Sequence, residues 1–274
     1  MGLDKNSNHI GVGDYFINPI NNKTALQCYH DIDSADYSGF DSNLYKYLNE
    51  KSISEMIKVN SEINRILTKF KIVIKINKKI LNNLMRNHLP QTRDIALGIT
   101  KYLPQNLKRS INRKALVEAT SLHDIAKVII PENIINKPGR LSYDEREIMD
   151  EHAKLSYEML KSTDLDSETL DLIKNHHHSH NGADDFGRYN TENINLQILS
   201  IADIYSALRE KRSYKAEMSK EQALKILSEE TQQGKFHPSV YEALVEYSNR
   251  DEKSNKRDFN WQIFNFKATN SLSS

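Results

Sequence analysis

The sequence predicts an all-α protein built around one helical bundle, and three observations support that prediction. Apolar residues after position 44 recur at spacings typical of a helix, namely Ile63, Ile66, Leu67, Phe70 and Val73. Two sequence pairs predict capping boxes at helix starts: Ser142 with Glu145, and Ser219 with Gln222. Strand signals are scarce, because the Asn-Gly pair at 181 and 182 follows a histidine cluster instead of joining alternating apolar runs.

Composition indicates a globular chain without a general affinity for polyanions. The 274 residues suffice for one large domain or two small ones, with 38% hydrophobic and 27% charged residues. The net charge of +1 favours neither a nucleic-acid polymer nor a membrane surface as partner, so any phosphate-binding site must be local. The single cysteine, Cys28, excludes an intrachain disulfide and a cysteine-based zinc site.

The sequence shows no targeting or membrane-spanning signal. Its N-terminus lacks a basic start followed by an apolar run, and the stretch "KFKIVIKINKKI" is interrupted by lysines far short of a membrane span. We therefore expect a cytoplasmic protein.

Four segments follow one another along the chain. Residues 1–40 are rich in Asn, Asp, Ser and Gly and are expected to form loop or partly disordered structure. Residues 41–83 form an N-terminal helical segment, which either packs as plain structure or serves in dimerisation or sensing; its helices could pair two chains. The main domain covers 84–250, and 251–274 form a C-terminal tail of unassigned role.

Two helices of the main domain carry the candidate chemistry. The helix containing "ALVEATSLHDIAKVII" is expected to end just before Pro131. After the loop "PENIINKPGR", the first capping box starts a helix through "EREIMDEHAKLSYEML", and the second opens "SKEQALKIL".

Histidines are unusually concentrated in this domain. Of the ten in the chain, seven lie between positions 88 and 180, and neutral imidazole is the commonest metal ligand. His88 or His152 alone would ordinarily be a surface or core residue. The run from His176 to His178 suits either a metal site or a solvated polar turn.

Two aspartates strengthen the metal interpretation. His123 and Asp124 are adjacent, so their side chains cannot face each other on a helix, but they could reach one metal cluster from two directions. Asp203 lies among apolar neighbours, where a carboxylate is costly to bury without cations or donors. The alternative for Asp203 is a surface position on an amphipathic helix.

Several separately spaced blocks resemble the HD superfamily of metal-dependent phosphohydrolases, and in particular its HD-GYP branch. "HDIAKVIIPENIINKPGRLSYDEREIMDEH" is similar to the family's His-Asp-Ile-Gly-Lys block, its Lys-Pro-Gly loop and its downstream histidine. "ILSIADIYSALREKRSYKAEMSKEQAL" resembles the Ala-Asp helix followed by Arg-x-Tyr-Arg, and "GKFHPSVYEAL" resembles the closing Gly-x-Phe-Asp-Pro. The resemblance extends from about residue 84 to 246 and implies an HD-domain helical bundle.

The resemblance implies a two-metal centre. Asp124 would bridge the two metals; His88, His123 and Asp203 would complete one site, and His152, His176 and His177 would complete the other. Such a pair holds a shared hydroxide and clamps both oxygens of an in-line phosphoryl displacement. Lys127 would neutralise charge on the scissile phosphate or the leaving group, and Arg212 and Lys215 in "RSYK" would hold substrate phosphates.

The chain departs from the family at some positions. The Gly-Tyr-Pro loop is degenerate, because "HHHSHNGADDFGRY" follows the paired histidines, with Phe186 as the nearest aromatic substitute. Leu84 occupies the position at which some relatives carry a third-metal glutamate, so we expect two divalent ions. The residue types favour iron or manganese and also suit nickel or zinc.

The resemblance thus implies a metal-dependent phosphodiesterase that opens cyclic di-GMP to its linear dinucleotide. The degenerate loop leaves two alternatives: an HD phosphohydrolase for another nucleotide or phosphate ester, and a catalytically retired HD domain acting as a binding or interaction module. In each enzymatic case the partner is a small nucleotide rather than a polymer or a membrane.

Overall fold

The computed structural model describes residues 44, 46–177, 193–210 and 217–250, together with the backbone of two short strands. These strands, β1 (Ile17–Asn18) and β2 (Lys23–Thr24), pair antiparallel with Ile17 opposite Thr24. All other regular elements in these ranges are helical, which confirms the predicted all-α class. The expectations for the rest of 1–40 and for 251–274 lie outside the described residues.

The helices follow one another through short connections. The first group is α1 (Glu50–Lys58), α2 (Ser61–Lys69), α3 (Lys78–Asn83), a π-helical turn (Leu84–His88), α4 (Leu89–Tyr102) and α5 (Gln105–Lys108). The next is α6 (Arg113–Leu122), a 3₁₀ turn (Ile125–Ile129), α7 (Glu132–Ile135), α8 (Tyr143–Asp150), α9 (His152–Leu160) and α10 (Ser167–Asn175). The last is α11 (Ile194–Arg209), α12 (Lys220–Gln232) and α13 (238–250). None of the described helices is long and apolar enough to cross a lipid bilayer.

Side-chain caps explain where several helices begin. Both predicted capping boxes are confirmed: Ser142 exchanges hydrogen bonds with Glu145 at α8, and Ser219 does so with Gln222 at α12. The other N-caps share one residue type, asparagine, whose side-chain oxygen accepts from backbone N–H groups in the first turn: Asn49, Asn60, Asn77 and Asn193. Local sequence therefore sets these helix starts.

Two predicted helix bounds are wrong. The helix expected to continue until Pro131 ends at Leu122, because Asp124, with φ −103° and ψ 7°, leaves the α conformation and begins the 3₁₀ turn. The helix expected through "EREIMDEHAKLSYEML" is two helices, since Glu151, with ψ −13°, separates α8 from α9. Both breaks lie next to a candidate ligand.

The helices form two compact units. The first contains the described residues up to Gln91 together with Glu118–Asn175. In this unit α9 packs against α1, α2, α10 and the 3₁₀ turn, and α3 also packs on that turn. Its core includes the fully buried Ile53, Ile63, Leu122 and Leu155.

The second unit contains Thr92–Val117 and the described residues from His176 onward. In it α11 packs against α12, and α11 is buried over most of its length. Helix α13 lies so close to α4 that a Cβ placed on Gly98 would come within 2.3 Å of the Tyr247 ring. Glycine at 98 is therefore a packing requirement of this unit.

Candidate metal centre

The centre of the candidate site is the carboxylate of Asp124, which is fully buried in the first unit. Three imidazole Nε2 atoms surround it. His88 Nε2 lies 3.1 Å from Asp124 Oδ2, His152 Nε2 lies 3.2 Å from Oδ1, and His123 Nε2 lies 3.6 Å from Oδ2. The three rings are themselves at least nine-tenths buried, so these groups meet where water cannot replace a missing partner.

A break in regular helix places each of these side chains. His88 is the last residue of the π-helical turn, an irregularity that widens the helix and redirects side chains. Its ring centroid lies 5.5 Å from that of His123, which follows the end of α6. His152 is the first residue of α9, directly after the break at Glu151. The chain thus brings four residues from three separate regions to one point.

The orientation of two rings indicates which nitrogen can bind a cation. His123 Nδ1 lies 3.1 Å from the Thr120 carbonyl oxygen, and His152 Nδ1 lies within hydrogen-bond distance of the Met149 carbonyl. Because a carbonyl oxygen can only accept, each Nδ1 carries the proton, which assigns the tautomer from the hydrogen-bond network. In a neutral ring the Nε2 lone pair then points at Asp124.

This donor set fits a divalent metal ion. Nε2 lone pairs facing carboxylate oxygens repel one another unless a cation, either a proton or a metal, lies between them. His88, His123 and Asp124 each offer one ligand atom, and these atoms lie within 4.8 Å of one another. Imidazole nitrogens and carboxylate oxygens together suit iron, manganese and zinc. The first unit therefore holds a His/Asp cluster that could bind metal.

Lys127 contributes a positive charge at the same point. Its ammonium donates a hydrogen bond to Asp124 Oδ2, and its side chain remains 21% exposed. The predicted proximity to Asp124 is confirmed, although it arises from the 3₁₀ turn, in which residues three apart are eclipsed, and not from an α-helix.

The charge of Asp124 reflects opposing effects. Burial raises the pKa of its carboxyl group, whereas the charge of Lys127, the charge of His123 and hydrogen bonds from His152 and His88 lower it. The lowering effects dominate and hold the pKa of Asp124 well below its usual range. Asp124 is therefore an anion at neutral pH, as a metal ligand must be.

The second unit carries the other candidate ligands. The His176 and His177 rings lie 4.0 Å apart, and the Ser200 hydroxyl donates to the His176 carbonyl oxygen. Asp203 on α11 is only 6% exposed, so it is not a surface residue of an amphipathic helix. Its assignment to one metal site with His88, and that of His176 and His177 to the other with His152, stays a prediction.

Two predicted phosphate ligands lie outside the described residues, namely Arg212 and Lys215. The same holds for His178 and the degenerate loop that follows it. Conversely, sequence reasoning missed two polar contacts in the first unit. The Thr169 hydroxyl donates to the buried Glu118 carboxylate at 2.5 Å, and Ser156 Oγ accepts from the Ala126 N–H at 3.1 Å. The position of Ser156, one helical turn after His152, could have indicated that it shares a face with that ligand.

Curated proteins similar to this chain share one kind of activity in their names. The 3'3'-cGAMP-specific phosphodiesterase 2 of Vibrio cholerae serotype O1 is 34% identical over 134 residues, covering 47% of this chain and 25% of that protein. A probable cyclic di-GMP phosphodiesterase of the same organism is 32% identical over 182 residues, covering 60% and 40%. The cyclic di-GMP phosphodiesterase response regulator RpfG of Xanthomonas campestris pv. campestris is 32% identical over 133 residues, covering 46% and 34%. The matches thus span well under half the length of these relatives.

Solved structures give weaker similarities. The HD domain of the Listeria monocytogenes phosphodiesterase PgpH aligns with a TM-score of 0.45 and 16% identity, covering 62% of this chain and 96% of that one. An HDG"Y"P protein from Bdellovibrio bacteriovorus aligns with a TM-score of 0.49 and 14% identity, covering 82% and 67%. These similarities are too low to bear on activity.

The match to a whole family is more extensive. Residues 75–240, more than half of the chain, match the family described as HD domain. That range contains the buried Asp124 and each histidine that faces it. The chain therefore belongs to the HD domain family.

Proposed function

We propose that this chain is a metal-dependent phosphodiesterase that hydrolyses a cyclic dinucleotide, with cyclic di-GMP as its first substrate. The observation that carries the proposal is the buried Asp124 carboxylate with three imidazole Nε2 atoms within 3.6 Å. The names of the relatives support the substrate class, since they are cyclic di-GMP or 3'3'-cGAMP phosphodiesterases.

In the proposed reaction, water attacks one phosphorus atom of the cyclic substrate. One phosphorus–oxygen bond to a ribose breaks, the ribose oxygen leaves with a proton, and a linear dinucleotide with a terminal phosphate results. A bound divalent metal would supply Lewis-acid stabilisation of the charge on the phosphoryl group. Asp124 and the histidines hold the ligand atoms in place, because His123 and His152 are anchored through Nδ1 to backbone carbonyls.

Lys127 is proposed to contact the substrate. Its side chain, at 21% exposure, is far more open to solvent than the fully buried Asp124 beside it. An ammonium at this point can neutralise one phosphoryl oxygen or the departing ribose oxygen, where negative charge develops. Binding of a metal to Asp124 would compensate the carboxylate charge and leave the ammonium for the substrate.

The remaining site residues complete the proposal. Asp203 would join His88, His123 and Asp124 around one ion, and His176 and His177 would join His152 and Asp124 around a second. We propose iron or manganese for both, with nickel and zinc also suited to these ligands. Arg212 and Lys215 would hold substrate phosphates, and 84–250 would be the catalytic domain.

A second candidate substrate is 3'3'-cGAMP. One of the relatives is named as specific for this dinucleotide and matches this chain at 34% identity. The chain also lacks the Gly-Tyr-Pro sequence after its paired histidines, at the loop that the family resemblance assigns to base contacts. The two substrates differ in one base, so a base-contacting loop is where selectivity between them would arise.

The test combines metal content with hydrolysis. Protein purified anaerobically is assayed for bound metal, then incubated with cyclic di-GMP, 3'3'-cGAMP and a simple phosphodiester. Asp124→Asn removes the central anion at constant size and is expected to lower metal content and to reduce hydrolysis at least about 100-fold, since metal-supporting residues alone contribute about 10–100-fold. Asp164→Asn is the matched control, because Asp164 is 73% exposed and paired with Lys46.

Each outcome has a distinct meaning. Hydrolysis of cyclic di-GMP by wild type and by Asp164→Asn, but not by Asp124→Asn, would support the proposal with its first substrate. Preference for 3'3'-cGAMP would support the second substrate. Bound metal with no hydrolysis of any tested phosphodiester would exclude the activity, and a metal-free wild type would indicate a binding or interaction module.

A further inference from the structure

The 3₁₀ turn after Asp124 lacks the cap that its sequence predicts. The first N–H groups of a helical turn have no partner within the turn, and aspartate at the N-cap position commonly accepts from the second or third of them. Asp124 is the N-cap residue of Ile125–Ile129, yet within this described turn its carboxylate makes no capping hydrogen bond. It faces the histidines and Lys127 instead.

Another residue performs the capping. The N–H of Ala126, the second residue of the turn, donates to Ser156 Oγ at 3.1 Å. Ser156 and Ala126 are both fully buried, so this N–H cannot turn to water. Ser156 belongs to α9, four residues after His152, which places it on the same helical face as that candidate ligand.

We infer that Ser156 is a positioning residue of the metal centre, which caps the turn in place of Asp124 and so leaves the Asp124 carboxylate directed at the histidines. The inference rests on the proposed function, because it concerns how the metal ligand is held. It goes beyond that function by assigning a role to a residue that binds neither metal nor substrate.

The physical reason is a competition for one carboxylate. Without Ser156 Oγ, the Ala126 N–H is a buried donor within the reach of an N-cap side chain, and the Asp124 carboxylate is the acceptor at that position. A carboxylate that turns to cap the helix can no longer meet the three Nε2 atoms. The same bond also joins α9, which carries His152, to the turn that carries Asp124, and so fixes the spacing between these two ligands.

The experiment measures binding of Mn²⁺ to metal-depleted full-length protein by competition with a chelator. Ser156→Ala is expected to weaken Mn²⁺ binding about 10- to 100-fold, the usual effect of removing a residue that orients a ligand. Ser156→Thr keeps the hydroxyl and is expected to bind Mn²⁺ like the wild type. Ser248→Ala is the control, because it also removes a buried serine hydroxyl, one that donates to the Val245 carbonyl oxygen. It is expected to leave Mn²⁺ binding unchanged.

Further readouts separate positioning from plain stability. Circular dichroism and thermal unfolding of the metal-depleted variants report folding, and excess Mn²⁺ is expected to restore hydrolysis by Ser156→Ala. If Ser156→Ala does not fold, Ser156→Cys, which keeps the volume but accepts hydrogen bonds weakly, takes its place. Wild-type affinity in the folded Ala or Cys variant, or equal losses in Ser156→Ala and Ser156→Thr, would overturn the inference. A wild type that binds no Mn²⁺ would instead refute the proposed function.

Discussion

At the scale of single residues, the centre depends on a buried charge that would be costly in isolation. Asp124 is fully enclosed, and burial alone would favour its neutral form. The positive charge of Lys127 and the three imidazoles reverse that preference and keep the carboxylate ionised. Such compensation is what a metal-binding carboxylate requires, because a protonated acid is a poor ligand for a divalent cation.

Lys127 provides the first residue-scale prediction. Lys127→Gln is expected to retain bound metal, since lysine is not among the proposed ligands, while kcat for cyclic di-GMP falls about 100-fold through loss of charge stabilisation. The measurement is metal content together with steady-state kinetics. The matched control is Lys69→Gln, an exposed lysine paired with Glu147 in the same unit, which should keep wild-type kinetics. Loss of metal from Lys127→Gln would show that the ammonium supports the ligands and not the substrate.

At the scale of elements, the asparagine caps fix how the N-terminal helices join α9. Asn60 caps α2 by accepting from the N–H groups of Glu62 and Ile63. The same side chain donates to the backbone oxygen of Glu158 at 2.7 Å and to its carboxylate at 3.0 Å. One residue therefore starts a helix and attaches it to the helix that begins with His152. Asn49 caps α1 and has no bond of this kind to α9 among the described residues.

This difference gives an element-scale prediction. Asn60→Ala is expected to lower the free energy of unfolding by about 2–3 kcal/mol, of which about 1 kcal/mol is the cap and the rest the buried hydrogen bonds to Glu158. Asn49→Ala should cost only about 1 kcal/mol, because it removes an exposed cap. Urea denaturation at constant slope measures both. Equal costs would mean that the bonds to Glu158 do not stabilise the protein.

At the scale of the whole molecule, metal binding should be visible as stability. A ligand that binds only the folded state raises its stability by about 2.7 kcal/mol at 100 times Kd, which corresponds to a Tm shift of about 5–10 °C for a protein of this size. A chelator is therefore expected to lower the Tm of Mn²⁺-loaded wild type by that amount and to leave Asp124→Asn unchanged. Differential scanning calorimetry checks this prediction. A wild-type Tm that ignores the chelator would contradict a metal centre in the folded protein.

The sequence by itself determined the features that depend on neighbouring residues. Apolar spacing along 61–70 predicted α2, and the serine pairs at 142 and 219 predicted the starts of α8 and α12. The clustering of histidines with Asp124 also predicted a metal centre before any spatial arrangement was known. Helix periodicity and capping are local interactions, so they can be identified within a few residues of chain.

Only the tertiary structure decided the ends of helices and the orientation of the ligands. The end of α6 at Leu122 and the π-helical turn at His88 have no local sequence signal, and they place their residues against side chains from distant parts of the chain. Ser156 meets Ala126 across 30 residues of sequence. Each of these features exists because packing brings a buried donor or charge to a partner that the local chain cannot supply. They are therefore set by the fold and not by the sequence around them.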